Sequence, residues 1–126
     1  MRLVLDAGAL VAVERGDRDV AALLKRELLA GRAPLTHGGV VAQVWRGGSG
    51  RQARLARLLP GVDVVPLDDA LGRRAGVLLG RARGTDAIDA AVVAIAGDGD
   101  IVLTSDPDDL RRLAEVAAVH IDIVHV

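Results

Sequence analysis

Cysteine, phenylalanine and tyrosine are all absent from this chain of 126 residues. The lack of thiols excludes disulfides and thiolate metal sites and suits a reducing compartment, so we expect a cytoplasmic protein. The single tryptophan, Trp45, cannot form the stacking platform that many single-strand nucleic-acid binders use. Long apolar runs are missing too, because Asp6 interrupts the first of them. We therefore expect neither a signal peptide nor a membrane span.

The residues that are present describe a globular protein. Hydrophobic residues make up 51% and charged residues 26%, so we expect one domain over residues 1–126 with a buried core. The net charge of -1 offers no overall attraction to a polyanion, and nucleic-acid binding would need a local basic patch or a metal ion. Arg46, Arg51 and Arg54, around the glycine-rich run 47–50, form a candidate phosphate-binding patch. An ordinary solvated surface explains these arginines equally well.

Hydrophobic periodicity divides the chain into alternating strands and helices. It predicts strands at residues 2–5, 62–65, 101–105 and 119–124. It predicts helices at 7–13, 17–29, 39–46, 51–59, 69–82 and 85–96, then one that begins at Pro107 with Asp106 as its N-cap. Strands separated by helices pair in parallel through right-handed crossovers. The predicted fold class is therefore α/β, a three-layer α/β/α sandwich with a central, mainly parallel sheet.

Three aspartates stand where a strand ends or a helix begins: Asp6, Asp86 and Asp106. The carboxyl ends of parallel strands share one edge of a sheet, so acids distant in sequence converge there. Two carboxylates about 4 Å apart repel by roughly 4 kcal/mol at an effective dielectric constant near 20, which a bound cation or a trapped proton would relieve. Taken singly, each of these acids is better explained by local structure, Asp6 and Asp106 as helix caps and Asp86 as a negative charge in a first helical turn.

Asp89 is harder to explain as a cap. It lies one helical turn beyond Asp86 in a segment otherwise made of alanine, isoleucine and valine. Side chains three residues apart share a helix face, where two like charges reduce stability. A cation in front of both carboxylates would remove that penalty, so the pair favours a metal site.

Three short segments resemble the PIN-domain family, and within it the small VapC-type toxins of bacterial toxin-antitoxin pairs. They are Leu-Asp-Ala-Gly-Ala-Leu at 5–10, Thr-Asp-Ala-Ile-Asp-Ala at 85–90, and Leu-Thr-Ser-Asp at 103–106 followed by Asp-Asp-Leu at 108–110. The segments occur in the expected order, and the resemblance covers essentially the whole chain.

The resemblance implies an acidic cluster that holds Mg²⁺ or Mn²⁺ and hydrolyses RNA, leaving 5′-phosphate and 3′-hydroxyl ends. It gives the catalytic and metal-binding roles to Asp6, Asp86 and Asp106, and supporting roles to Thr104 and Ser105. It also implies a homodimer that is silenced by a cognate antitoxin protein.

One position departs from the family's pattern. A glutamate is expected where the sequence reads Val-Ala-Gln-Val at 41–44, and Gln43 stands in its place. The amide oxygen can still coordinate a hard cation or hold one of its waters, but it adds no negative charge. Asp89 is the first candidate to replace the missing acid, and Glu14 and Asp108 are the others. The alternative function is a catalytically weakened PIN-like module that acts by binding RNA or protein.

Other kinds of site lack the residues they need. His37, His120 and His125 form no paired metal-ligand motif, and we assign them no role. A phosphoacceptor signalling domain also places aspartates at strand ends over Mg²⁺, but it needs a lysine near a late strand. The only lysine, Lys25, lies in an early predicted helix.

Overall fold

The computed structural model describes all residues from 1 to 126. Its strands are β1 (Leu3–Leu5), β2 (Leu35–His37), β3 (Asp63–Val65), β4 (Ile101–Thr104) and β5 (Asp122–His125). They form one sheet in the order β3-β2-β1-β4-β5, and every neighbouring pair is parallel. The predicted α/β class with a parallel central sheet is confirmed.

Helices cover both faces of this sheet. They are α1 (Ala7–Glu14), α2 (Arg18–Leu29), α3 (Gly38–Val44), α4 (Ala53–Leu58), α5 (Asp69–Ala82), α6 (Ala87–Ile95) and α7 (Pro107–Ala117). The first four associate through α1, and the last three contact one another. The chain crosses the sheet in one direction from β1 through β2 to β3 and in the other from β3 through β4 to β5, so right-handed connections put these two groups on opposite faces and give the three layers. None of the helices has the length and apolar character needed to cross a bilayer.

The sequence analysis predicted four strands, and this is wrong because it omits β2. This strand has only three residues, follows Pro34, and includes Thr36 and His37, whose polarity is typical of a loop. Both side chains are nevertheless buried. The Thr36 hydroxyl donates to the Leu5 carbonyl at 2.7 Å, and both ring nitrogens of His37 are hydrogen-bonded. Tertiary hydrogen bonds therefore allow a polar strand inside the sheet.

Two other boundaries differ from the prediction. The helix predicted at 51–59 is divided, because 3-10 turns at Gly50–Gln52 and Leu59–Gly61 flank α4. The last strand begins at Asp122 rather than at 119. Of the predicted site residues, only Arg51 and Arg54 lie in these segments: Arg51 is in the first of the two turns and Arg54 is in α4.

The core is aliphatic, with 26 buried residues that are leucine, valine or alanine. The helix α6 lies deepest, since residues 90–93 on it are all buried. It carries Asp89 at the edge of this apolar interior, where an ionised carboxylate is costly unless something compensates its charge.

The order of strands determines where a ligand can bind. From β1 the chain moves to β2 on one side of the sheet, and β4 lies on the other side. Ligands of open α/β sheets bind beyond the carboxyl ends of the strands at such a switch point. Leu5 of β1 pairs with Leu103 of β4, so Asp6 and Asp106 follow neighbouring strand ends.

Candidate metal centre

The carboxyl ends of β1 and β4 are tied together by Thr104, which is fully buried. Its hydroxyl donates to Asp6 Oδ2 at 2.7 Å and accepts the backbone N–H of Asp106 at 3.0 Å. The other carboxylate oxygen of Asp6 accepts the N–H of Ala7 at 2.8 Å and caps α1. One threonine hydroxyl therefore fixes the orientation of Asp6 and the course of the chain at Asp106.

Close contact between α1 and the loop after β4 depends on Gly8. A Cβ atom built on Gly8 would lie 2.5 Å from Ser105 Oγ and 2.6 Å from the Ser105 backbone nitrogen. No real Cβ tolerates backbone at that distance. Gly8 therefore allows the two segments that carry Asp6 and Asp106 to approach each other. Ser105 lies beside Gly8 at the point where these segments meet.

The two aspartates at the N-terminus of α6, Asp86 and Asp89, differ in exposure and in hydrogen bonding. Asp86 is exposed, and its Oδ1 accepts the N–H groups of Ile88 at 2.9 Å and Asp89 at 3.1 Å, so it caps the helix. The side chain of Asp89 makes no hydrogen bond and is 9% exposed. A capping role therefore explains Asp86 and, as expected from the sequence, leaves Asp89 unexplained.

Asp89, Asp106 and Asp109 offer carboxylate oxygens that all lie within 4.8 Å of one another. Asp106 occupies the N-cap position of α7, but its side chain makes no capping hydrogen bond, so its carboxylate is free to face the cluster. Asp109 was not singled out from the sequence. Its spacing of three from Asp106 repeats that of Asp86 and Asp89 and was the signal available.

The electrostatics of the cluster concentrate on Asp89. Burial is the main cause that raises the pKa of the Asp89 carboxyl from 3.8 to about 7, and the charges of Asp6, Asp86, Asp106 and Asp109 contribute to the same rise in that order of importance. Five acids therefore contribute to one field. Without a cation, this field favours a neutral Asp89 near physiological pH.

No arginine or lysine forms an ion pair with these acids. The ion pairs in the structure join Arg2 to Asp63, Arg32 to Glu27, Arg73 to Asp69 and Arg111 to Asp108. None of them includes an acid of the cluster. The donors are all carboxylate oxygens, some buried and some exposed to solvent, which fits a hard divalent cation that retains part of its water shell.

The other candidate ligands lie apart from this cluster. Gln43 is exposed on α3, and its side chain makes no hydrogen bond. Asp108 is exposed and pairs with Arg111 at 3.0 Å. Glu14 accepts a hydrogen bond from Gln52 Nε2 at 2.7 Å, which ties the end of α1 to the turn before α4.

The three arginines proposed as phosphate ligands have different surroundings. Arg46 donates to the carbonyls of Ala42, Gln43 and Trp45, at 3.1, 3.2 and 2.7 Å, and thus caps the end of α3. Arg51 is exposed and makes no side-chain hydrogen bond. Arg54 lies against Gly16, at the end of α1 opposite to Asp6. The helix has 8 residues and is therefore about 12 Å long at about 1.5 Å per residue.

His37, to which no role was assigned, connects β2 to α6. Its Nδ1 accepts the N–H of Gly39 at 3.0 Å, so Nε2 carries the hydrogen and donates to the Ile88 carbonyl at 3.0 Å. Burial lowers the pKa of the imidazole, against the opposing effects of the Ile88 hydrogen bond and of Asp6. A neutral His37 thus holds the first turn of α6, directly before Asp89. Its polarity in a strand not recognised from the sequence concealed this contact.

Comparisons with known proteins bear on the fold. No protein-family model matches the sequence, and no curated protein matches it. Among solved structures, the chain is similar to one in the crystal structure of VapBC2 from Rickettsia felis bound to a DNA fragment from their promoter, over 98% of this chain and 99% of that one. The TM-score is 0.71 and the identity 12%, so the likeness is one of fold. The chain shares the fold of a VapBC2 chain, and the PIN-like sandwich expected from its motifs is confirmed.

Proposed function

We propose that this protein is an endoribonuclease that uses Mg²⁺ or Mn²⁺ to hydrolyse RNA phosphodiester bonds, and that it is the toxin of a toxin-antitoxin pair. The observation that carries the proposal is Asp89, a buried residue whose carboxylate feels the charges of four other aspartates and forms no ion pair with a cationic side chain. Such an arrangement destabilises the metal-free protein and is useful only if a cation neutralises it. The shared fold and the three sequence motifs support the same activity.

The ligands in this proposal are Asp6, Asp89 and Asp106, with Asp109 beside them. Asp86 keeps its place in the site as the cap of α6 and as a source of negative charge. A bound ion would lower the pKa of a coordinated water and neutralise the charge that develops on phosphorus. Asp89 would hold the ion as a carboxylate, since ligands coordinate in their deprotonated form. Thr104 keeps Asp6 Oδ2 in a fixed direction.

Cleavage of total RNA in the presence of Mn²⁺ tests the proposal. The variants Asp6→Asn and Asp89→Asn are expected to lose cleavage by at least a hundredfold while remaining folded. Asp122→Asn is the matched control, because Asp122 is exposed on the edge strand β5 and its side chain makes no hydrogen bond. Mapping of the products should give 5′-phosphate and 3′-hydroxyl ends. If Asp89→Asn cuts RNA as fast as the control, the proposed site is wrong.

The weakened binding module is kept as a second candidate because of Gln43, which is an exposed amide in the sequence context of an acid. A metal titration separates the two functions. The nuclease requires that millimolar Mn²⁺ raises the melting temperature and supports cleavage. RNA binding without either effect would favour the module.

The partners in this proposal are RNA, a cognate antitoxin and a second copy of the chain. A groove of about 480 Å³ between α1, α2 and α4 has an apolar base that includes Leu24, Leu28 and Leu58. Arg18, Lys25, Arg54 and Arg57 line its rim. This combination suits an amphipathic, acidic antitoxin segment. Arg57→Glu should weaken silencing by the co-expressed antitoxin without changing cleavage by the free toxin, and sedimentation would report the dimer.

A further inference from the structure

A cavity of about 150 Å³ opens beside the acidic cluster, between the end of α5 and the starts of α6 and α7. Asp86, Asp89 and Asp109 line it from the metal side, and Arg83 and Arg112 line it as well. Its volume is several times the space that one water requires, yet too small for a nucleobase and its sugar. The cavity therefore suits a compact polar group.

The two arginines of this cavity are free to bind a ligand. Neither Arg83 nor Arg112 forms an ion pair or a side-chain hydrogen bond in the structure, although carboxylates line the same cavity. Arg111, the next residue on α7, differs, since it pairs with Asp108 at 3.0 Å. Neighbouring arginines on one helix thus have different roles: Arg111 is engaged with its own helix, and Arg112 faces the cavity.

A divalent ion bound to the acids makes the cavity more favourable for an anion. Without the ion, the three carboxylates that line the cavity outnumber its two guanidinium groups, and the nearby charges of Asp6 and Asp106 add to the negative field. The ion places two positive charges beside Arg83 and Arg112, which favours the binding of a phosphodiester. The apolar side chains Leu79, Ala82 and Leu113 line the remaining wall and strengthen that attraction by excluding water.

We infer that this cavity receives the RNA phosphate adjacent to the one that is cut, and that Arg112 and Arg83 bind its oxygens. The inference rests on the proposed nuclease function and adds a substrate subsite to it. The planar guanidinium group matches two phosphate oxygens at once. Contacts to a phosphate, and not to a base, position the strand without selecting a sequence. The metal and the subsite cooperate, because the anion is accepted only after the cation is bound.

The test is RNA binding as a function of salt, with Arg112→Ala as the perturbation and Arg111→Ala as the matched control from the same helix. A fluorescent single-stranded RNA of twelve nucleotides is titrated with protein in Ca²⁺, and again in EDTA. In Ca²⁺ we expect Arg112→Ala to weaken binding about tenfold and to reduce the slope of log K against log salt by about 0.7, the value for one lost phosphate contact on a single strand. Arg111→Ala should match the parent. In EDTA the difference between the two variants should disappear.

Three further measurements distinguish a lost phosphate contact from misfolding of the variant. Arg83→Ala removes the second guanidinium from a different helix end and should reproduce the loss of slope. The rise in melting temperature with Mn²⁺ should be the same in the parent and in Arg112→Ala, since the variant leaves the acids intact. In Mn²⁺, the KM for RNA should rise more than kcat falls.

The outcomes distinguish this inference from the function on which it rests. If the parent binds and cuts RNA and Arg112→Ala has the same affinity and slope as Arg111→Ala, the subsite is wrong and the nuclease stands. If the parent neither binds nor cuts RNA in the presence of metal, both are overturned. An equal effect of Arg112→Ala in Ca²⁺ and EDTA would contradict the dependence of the subsite on the cation.

Discussion

Replacing Asp89 by asparagine should stabilise the metal-free protein although it removes the proposed activity. Asp89 is buried, makes no side-chain hydrogen bond, and is surrounded by the charges of four other aspartates. Asparagine has nearly the same shape and carries no charge. The variant therefore removes an unfavourable charge from the folded state and leaves the packing of α6 unchanged.

The magnitude follows from the pKa of Asp89. It is about 7 in the folded protein and 3.8 ordinarily, a difference of about 3 pH units, each equivalent to about 1.4 kcal/mol. Between these two pH values the folded state binds more protons than the unfolded state, so the free energy of unfolding falls as pH rises. The loss is about 4 kcal/mol in total, of which about 2–3 kcal/mol occurs between pH 5 and pH 8. The buried amide offsets part of the gain, at about 1–3 kcal/mol.

Urea denaturation in EDTA at several pH values between 5 and 8 measures this difference. At pH 8 Asp89→Asn should be more stable than the parent by about 1–3 kcal/mol, and its advantage should shrink towards pH 5. Asp122→Asn, with an exposed side chain, should follow the parent throughout. Addition of millimolar Mn²⁺ should reverse the order, because a ligand that binds only the folded state stabilises the protein that binds it more tightly.

Two results would refute this reasoning. The first is an Asp89→Asn variant that is less stable than the parent at pH 8 in EDTA. The second is a stability difference between the two proteins that does not change with pH. Either would mean that Asp89 carries no electrostatic strain in the folded state, and the main argument for a cation at this position would be lost.

Three other substitutions test the surroundings of the site. Thr104→Val removes the hydroxyl that orients Asp6. The free energy of unfolding in urea should fall by about 1–3 kcal/mol, and the affinity for Mn²⁺ in a calorimetric titration should fall as well. Unchanged values would contradict the role of the hydroxyl. Gly8→Ala should destabilise the protein by about 1–3 kcal/mol through overlap with Ser105. Alanine in an unobstructed helix would instead stabilise it by up to about 1 kcal/mol. A rise in the melting temperature of the variant would therefore contradict the close contact at Gly8. Gln43→Glu should tighten Mn²⁺ binding if this position supplies the missing acid, and an unchanged Kd would place it outside the metal site.

Much of the architecture was predictable because it depends on local patterns. The apolar runs that became β1 and β4 are short and bounded by aspartates, and the stripes of α2 and α5 repeat at helical spacing. The strand β2 was not predictable in this way. Its Thr36 and His37 are stabilised in the interior by hydrogen bonds to the carbonyls of Leu5 and Ile88, and those two partners are brought there only by the tertiary structure.

The sequence predicted the meeting of the acids but not the role of each one. Their positions at strand ends and helix starts predicted that some of them would meet, and the topology brings Asp6 and Asp106 to adjacent strand ends. The different roles of Asp86 and Asp89 depend instead on the direction in which each side chain points from α6. Asp86 caps the helix and remains exposed. Only the three-dimensional structure distinguishes it from the buried acid one turn later.

Whether a carboxylate accepts backbone hydrogen bonds also decides which of two roles, helix cap or metal ligand, explains each acid. A cap uses a carboxylate as a hydrogen-bond acceptor, as Asp6 and Asp86 do towards backbone N–H groups. A metal ligand must keep oxygen lone pairs for the cation, and Asp89 and Asp106 accept no hydrogen bond in the structure. Asp6 combines both uses, because a carboxylate oxygen has more than one lone pair. Aspartates that cap helices and aspartates with free oxygens therefore act on the same site, and this explains why the acids at strand ends and helix starts each had a local explanation while the group as a whole indicates a cation.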